Sequence, residues 1–158
     1  MSIRKEIEAD LGRRVAAGSA GGGDIVARSG DGEVRVRVSA VGPIGVSVDE
    51  IQVKRSGLDA AGARRACEQV GDRVKYLLEP LRVLESDAQS GVTRARSEQP
   101  SVDDAGRHYY ELNGQPGELK LNRYCKPDTA PRSSEAMDLT REQLYRLAED
   151  LDAAARAS

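Results

Sequence analysis

Residues 33–40 read Glu-Val-Arg-Val-Arg-Val-Ser-Ala, in which polar and apolar side chains alternate without interruption. A period of two places successive side chains on opposite faces of a β-strand. The valines would then face a core, whereas Arg35 and Arg37 would face water. The stretch therefore predicts an antiparallel strand with one buried and one solvated face, and this strand decides the fold class.

The segments beside this strand predict a three-stranded meander. A glycine-rich connector at residues 18–23 leads into residues 25–28, which also alternate. Gly-Asp-Gly at residues 30–32 signals a tight turn between the first two strands. A third strand is predicted over residues 46–53, where the alternation slips at Asp49-Glu50 and indicates a β-bulge.

Three segments have the apolar spacing of amphipathic helices. Residues 3–17 form the first, with Ser2 as its N-cap residue, and residues 58–79 form the second, which ends before a proline. The third begins at Thr140, which can make a capping box with Gln143. The apolar stripe of the first helix consists of Ile3, Ile7, Leu11 and Val15.

Two more hairpins are predicted between the second and third helices. The first joins residues 81–86 to residues 92–97. The second joins residues 107–112 to residues 118–125. Residues 126–138, which contain prolines and serines, are expected to form a surface loop before the last helix.

The second of these hairpins has a register that satisfies both faces of the strand pair. Pairing Leu112 with Leu119 joins apolar residues on one face. The same register places Glu111 opposite Lys120 on the other face, where opposite charges attract. We therefore expect a five-residue loop over residues 113–117.

The predicted order of elements is α-βββ-α-ββββ-α. Strands that follow one another in groups, joined by short loops, favour antiparallel pairing over the alternating pattern of a parallel α/β fold. A chain of 158 residues and 17.0 kDa suits one domain. We therefore expect a single α+β domain over residues 1–158, with an antiparallel sheet and helices packed on one of its faces.

Composition argues against several classes of function. The chain holds 24 Lys plus Arg against 26 Asp plus Glu, which does not favour a polybasic surface for DNA or membranes. Its single histidine excludes a multi-histidine metal site, and we expect no metal and no other cofactor. The chain shows neither the apolar run of a secretory signal nor the ~20 apolar residues of a membrane span, so we expect a soluble, cytoplasmic protein.

Charged and aromatic side chains on the solvated strand faces are the candidate binding residues. Arginines beside tyrosines offer cations for phosphates and rings for base stacking, as in single-stranded nucleic-acid binding. An acidic protein partner would use the same arginines, and an antiparallel sheet also exposes charges that are merely solvated. The candidates are Arg28, Arg35, Arg37, Arg82, Arg94, Arg96, Tyr109 and Tyr124.

A further alternative is a small hydrolase or isomerase that uses Cys125 and His108. In the predicted register His108 lies opposite Arg123, whose guanidinium would favour a thiolate on the nearby cysteine. The sequence has no glycine-flanked nucleophile turn, and Cys67 and Cys125 are otherwise expected to be free thiols. We therefore expect no catalytic residues.

The order of elements, with a capped C-terminal helix, resembles that of the small, acidic, dimeric chaperones of type III secretion. The chain departs from that pattern because residues 81–125 are predicted to form four strands instead of two. The resemblance implies a homodimer that binds an extended partner segment without catalysis. We therefore expect a non-enzymatic, chaperone-like or scaffold protein with a protein or peptide partner. Small residues on the second helix would let two backbones approach in such a dimer: Gly62, Ala63, Ala66 and Gly71.

Overall fold

The computed structural model describes residues 2–18 and 21–158, apart from the side chains of Val83 and Leu84. These residues form three helices and ten strands. The helices are α1 (Ile3–Ala16), α2 (Ala60–Arg73) and α3 (Arg141–Ala157). The strands are β1 (Gly23–Ser29), β2 (Gly32–Val41), β3 (Gly45–Arg55), β4 (Leu81–Asp87), β5 (Val92–Ser97), β6 (Ser101–Asp103), β7 (Gly106–Gln115), β8 (Glu118–Lys126), β9 (Ser133–Glu135) and β10 (Met137–Thr140).

All ten strands belong to one sheet, and every pairing in it is antiparallel. Seven strands follow the order β1-β2-β3-β8-β7-β5-β4, and β6, β9 and β10 pair with β7, β8 and β3. The helices pack on one face, α1 against β1, α2 against β4, β5 and β7, and α3 against β3 and β10. The predicted α+β class is confirmed. No helix of the described residues covers the other face, which we call the open face.

Residues 33–40 form most of β2 and behave as their alternation predicts. Their valines are buried beneath the helices, and Arg35 and Arg37 point to the open face. On β3 the pairing skips from Glu50 to Val48 while β2 advances by one residue. Asp49 is therefore the extra residue of a β-bulge, and the predicted bulge is confirmed.

The first helix agrees with its prediction except near its end. The Ser2 hydroxyl accepts a hydrogen bond from a backbone N–H of the first turn, and α1 ends one residue early. Val15 is 49% exposed, so the buried stripe stops at Leu11. The connector predicted at residues 18–23 is described only in part, because residues 19 and 20 lie outside the described residues.

The second helix is shorter than the predicted span of residues 58–79. Asp59 caps its start through a hydrogen bond from Gly62, and Val74 leaves the helix with an extended backbone. Val74 and Leu77 are nevertheless buried in the irregular segment that follows. Their helix-like spacing therefore reflects burial of irregular chain, and the helix prediction is wrong for residues 74–79.

The small residues of α2 pack against other segments of the same chain. Gly62, Ala63, Ala66 and Gly71 are all buried. A Cβ added at Gly71 would lie 3.4 Å from the Leu81 carbonyl oxygen, so this glycine lets the helix approach β4. The interpretation of these residues as a surface for a second copy is wrong.

The second β-region contains more strands than predicted. Four strands were expected between residues 81 and 125, and the short strand β6 is a fifth. The expected loop at residues 126–138 also contains β9 and the first half of β10. β9 pairs with the end of β8, and β10 pairs with the start of β3, beyond the short stretch where β3 and β8 pair with each other. Strands of three or four residues are too short to show an alternating pattern.

The predicted register of the β7–β8 hairpin is wrong by two residues. Leu112 pairs with Leu121, and Glu111 lies opposite Asn122. β7 continues to Gln115, so only Pro116 and Gly117 connect the two strands. A shift of two residues keeps every side chain on its predicted face, because the side-chain period of a strand is two.

The third helix and the core complete the fold. Thr140 and Gln143 form the predicted capping box at the start of α3. Buried aliphatic side chains from the three helices and the sheet form one cluster, which includes Leu144 and Leu147 of α3. No helix within residues 2–18 and 21–158 is long and apolar enough to cross a membrane.

Candidate functional site

The first three candidate arginines lie together on the open face of β1 and β2. The guanidinium group of Arg35 lies 3.1 Å from the Asp24 carboxylate, and that of Arg37 lies 3.8 Å from the same carboxylate. The guanidinium group of Arg28 lies 3.7 Å from the Glu33 carboxylate. Each arginine therefore has a carboxylate partner on its own face, although the exposed geometry makes each ion pair weak.

The candidate arginines of β4 and β5 lie at the other end of the open face, beyond β3 and β8. Arg82 is 2.7 Å from Glu98, and Arg94 is 3.0 Å from Glu85. The structure therefore separates the eight candidates into two groups instead of one continuous patch. Each group contains charges of both signs.

Two tyrosines and two arginines stack on the open face of β5, β7 and β8. Tyr109 and Tyr124 are direct cross-strand partners, with ring centroids 6.0 Å apart. The guanidinium of Arg96 lies 5.5 Å from the Tyr109 centroid, and that of Arg132 lies 3.8 Å from the Tyr124 centroid. Each ring thus has a cation over it, which is a favourable cation–π arrangement.

Glu111 lies beneath these arginines and is only 1% exposed. Its carboxylate accepts hydrogen bonds from Arg96 (2.8 Å), Arg132 (2.9 and 3.2 Å) and Asn113 (3.1 Å). Burial alone would raise the pKa of Glu111, but the bonds from Arg132, Arg96 and Asn113 outweigh it and lower the pKa to about 2. Arg96, Tyr109, Glu111, Tyr124 and Arg132 are called the Arg–Tyr cluster below.

The Arg–Tyr cluster fixes the orientation of its side chains in the free protein. Both arginines bond to the single carboxylate of Glu111, which offsets one of their two positive charges, and both rings are partly covered by guanidinium groups. Sequence reasoning found Arg96, Tyr109 and Tyr124 from their strand positions. It missed Arg132, which comes from the predicted loop, and the burial of Glu111 that follows from it.

A second cluster lies on the opposite face of the same two strands. The pair next to Tyr109 and Tyr124 is His108 with Cys125. Neighbouring residues of a strand point to opposite faces, so this pair lies on the helix side of the sheet. Glu135 of β9 and Asp103 of β6 flank it. Asp103, His108, Cys125 and Glu135 are called the His108 cluster below.

Both imidazole nitrogens of His108 face carboxylates. Nδ1 is 2.8 and 3.0 Å from the two oxygens of Glu135, and Nε2 is 2.8 Å from Asp103. Hydrogen bonds to Asp103 and then to Glu135 raise the pKa of His108 above its ordinary value. A general base needs a free imidazole nitrogen, and this histidine offers none in the arrangement described.

Arg123 connects the His108 cluster to a buried carboxylate. Its Nε donates to Glu135 at 2.8 Å, and its other nitrogens donate to Glu79, which is 2% exposed. Ser101 also donates to Glu79, and the Tyr110 ring lies 4.6 Å from the guanidinium. These contacts hold β8 against the irregular segment that follows α2.

Cys125 is not activated by this arginine. Burial, followed by the charges of Glu135 and Asp103, raises the pKa of the Cys125 thiol, and Arg123 only partly offsets them. The expected thiolate beside Arg123 is therefore not supported. Sequence reasoning also missed Glu135 and Asp103, because Glu135 was placed in a loop and Asp103 ends a three-residue strand that was not predicted.

Comparison with known proteins indicates no family for this chain. No protein-family model, curated protein or solved structure matches the chain. The Arg–Tyr cluster and the His108 cluster are thus the observations on which a function can rest.

Proposed function

We propose that this chain is a non-catalytic binding protein that contacts a protein partner through its open face. The observation that carries the proposal is the Arg–Tyr cluster, in which two tyrosines and two arginines are already ordered around Glu111. Preordered aromatic and arginine side chains lose little conformational entropy on binding, and these residue types dominate protein interfaces.

The charges of the open face favour a polypeptide over a nucleic acid. A strand of phosphates needs arginines that can release small counterions, whereas Arg35, Arg94 and Arg96 already contact carboxylates. Base stacking needs open ring faces, whereas Arg132 lies directly over Tyr124. A protein surface with charges of both signs can match this face without displacing its ion pairs.

A second copy of this chain is the first partner to consider. A two-fold interface brings the same patch together on both subunits, so the patch must be complementary to itself. A face on which Arg35 lies beside Asp24 and Arg94 beside Glu85 meets that condition, since cations of one copy can face carboxylates of the other. The chaperone-like role would instead bring an extended segment of another protein to the same face.

An extended partner would lie across the open face instead of adding to the β1 edge. Arg14 donates to the Asp24 carbonyl at 2.9 Å, and Glu6 accepts from the Arg28 N–H at 3.1 Å. Side chains of α1 thus occupy backbone groups that a further strand would need. Natural sheets protect their edges in this way against pairing with other chains.

Photocross-linking in growing cells tests the proposal. A benzophenone amino acid replaces Lys120, whose side chain is 41% exposed on the open face, or Arg65, which is exposed on α2 and serves as the control position. We expect protease-sensitive, nuclease-resistant adducts from position 120 and none from position 65. An adduct of two copies identifies the homodimer, and any other polypeptide identifies a different protein partner.

Two results would overturn the proposal. Nuclease-sensitive adducts at position 120 would assign the face to single-stranded nucleic acid, and an oligonucleotide titration would then show a salt-dependent affinity. Equal adducts at positions 65 and 120, or none at either, would mean that the open face has no preferred protein partner.

A further inference from the structure

We propose that His108, Cys125 and Glu135 form a binding site for one Zn²⁺ ion. The three side chains come from β7, β8 and β9, and their donor atoms all lie within 4.8 Å of one another. Imidazole nitrogen, thiolate sulfur and carboxylate oxygen are the donors that zinc takes in proteins. A thiolate ligand selects zinc over Ca²⁺ and Mg²⁺, which prefer oxygen.

The donor atoms need only small movements to reach zinc. Bond lengths of about 2.0–2.3 Å place the ligands of a tetrahedral ion roughly 3.5 Å apart. The Nδ1 atom of His108 and Oε1 of Glu135 are 2.8 Å apart, so this pair opens slightly, and the Cys125 sulfur lies within 4.8 Å of both. β9 is a three-residue strand that pairs with β8, so few backbone hydrogen bonds oppose a small shift of Glu135.

Groups around the three ligands hold them in the orientation that zinc needs. Asp103 accepts the Nε2 hydrogen of His108 at 2.8 Å, which leaves Nδ1 for the metal. Backbone N–H groups of Ala105 and Gly106 fix that carboxylate at 2.9 and 3.3 Å. Arg123 holds Oε2 of Glu135 at 2.8 Å, and Oε1 contacts Nδ1 of His108, so the metal would replace the proton between these two donor atoms. The Cys125 thiol donates to the Ala105 carbonyl at 3.6 Å and gives up that hydrogen bond when it binds the ion.

The charge of the region also suits a cation. Asp103 and Glu135 lie beside His108, and Glu79 lies behind them, whereas Arg123 is the cation that bonds to both glutamates. Zinc replaces the Nδ1 hydrogen of His108 and the thiol hydrogen of Cys125, and both protons pass to solvent. A cleft of about 400 Å³, lined in part by His108 and Glu135, adjoins these ligands and has room for a water molecule as a fourth ligand.

The bound ion would fasten β9 to β7 and β8. Arg132, which stacks on Tyr124 on the open face, immediately precedes β9. Zinc binding on the helix side of the sheet therefore stabilises a residue of the Arg–Tyr cluster on the other side. We expect added Zn²⁺ to slow amide hydrogen exchange in residues 133–135.

Titration of the metal-free protein with Co²⁺, followed by Zn²⁺, tests the site. We expect one equivalent of Co²⁺ to produce a thiolate-to-cobalt charge-transfer band, which Zn²⁺ then abolishes. Cys125→Ser removes the band, and Cys67→Ala keeps it, since Cys67 belongs to α2 and is fully buried in the core. Asp103→Asn weakens metal binding by about 10–100-fold, because this carboxylate orients the histidine.

Circular dichroism of each variant establishes that it is folded before the titration. A wild-type protein without the band at excess Co²⁺ would refute the site. A band that survives in Cys125→Ser, or Glu135→Gln binding as tightly as the wild type, would refute the ligand set. The open-face proposal stands whatever these results are, because no ligand of the proposed metal belongs to the Arg–Tyr cluster.

Discussion

Glu111 shows at the residue scale how the open face is held together. Its carboxylate points away from the helices and is nevertheless 1% exposed, because Arg96 and Arg132 lie over it. A buried carboxylate is tolerated only when charged or polar donors satisfy its oxygens. The residue therefore links the local stability of the fold to the order of its binding surface.

Glu111→Gln should destabilise the protein by about 2 kcal/mol. This loss is smaller than the loss on breaking a fully buried ion pair, because both arginines are partly exposed. Urea unfolding at pH 7 measures the loss. Glu98→Gln is the matched control, since Glu98 makes a single exposed ion pair with Arg82 and should change stability by less than about 1 kcal/mol. Equal losses in the two variants would contradict the described role of Glu111.

The same variant has a predicted pH signature. The pKa of Glu111 is about 2 in the folded protein, against an ordinary value of 4.5. A lowered pKa stabilises the fold fully above the ordinary value, and this contribution is lost as the pH falls from 4.5 towards 2. Unfolding measured across that range should therefore depend less on pH in Glu111→Gln than in the wild type.

At the element scale, the sequence predicts the features that have local causes. Alternation predicts β2, a break in it predicts the bulge at Asp49, and the capping residues Ser2 and Thr140 predict where helices begin. The prediction fails where a tertiary contact decides the backbone. Asn113-Gly114 is a strong turn signal, yet β7 passes through it because Gly114 lies directly under α2.

Gly114→Ala should destabilise the protein by about 1–3 kcal/mol through overpacking. The added Cβ would lie 2.7 Å from Sγ of Cys67 and 3.1 Å from the Ala63 carbonyl oxygen. Gly12→Ala on α1 is the control of opposite sign. The Cβ added at Gly12 has no neighbouring atom within 4 Å. The substitution should stabilise the protein by roughly 0.5–1 kcal/mol, since alanine favours a helix more than glycine does. Thermal unfolding of both variants checks the pair, and a neutral Gly114→Ala would contradict the close packing.

The candidate sites depend on the whole molecule, and the sequence predicts them only in part. Strand parity places Arg96, Tyr109 and Tyr124 on one face, and the structure confirms that placement. Strand parity cannot predict the positions of Arg132 and Glu135, because Arg132 reaches its cluster from a loop and Glu135 from a three-residue strand. Contacts between segments distant in sequence leave no local pattern.

The sheet as a whole carries two clusters on opposite faces of the same strands. The pair Tyr109–Tyr124 faces outwards, and the adjacent pair His108–Cys125 faces the helix side. One register therefore sets both clusters, and a slip of β8 by one residue would turn Tyr124 to the helix side and Cys125 to the open face, away from their partners on β7. Both proposals therefore depend on the register of the long β7–β8 hairpin.

The most direct test of the open-face proposal is the dissociation constant of the partner identified by cross-linking. It is measured for the wild type, for Arg132→Glu on the open face and for Arg65→Glu on α2. We expect Arg132→Glu to weaken binding at least about 10-fold, or about 1.4 kcal/mol, and Arg65→Glu to leave it unchanged. Equal affinities for all three proteins, or a loss confined to Arg65→Glu, would contradict binding through the open face.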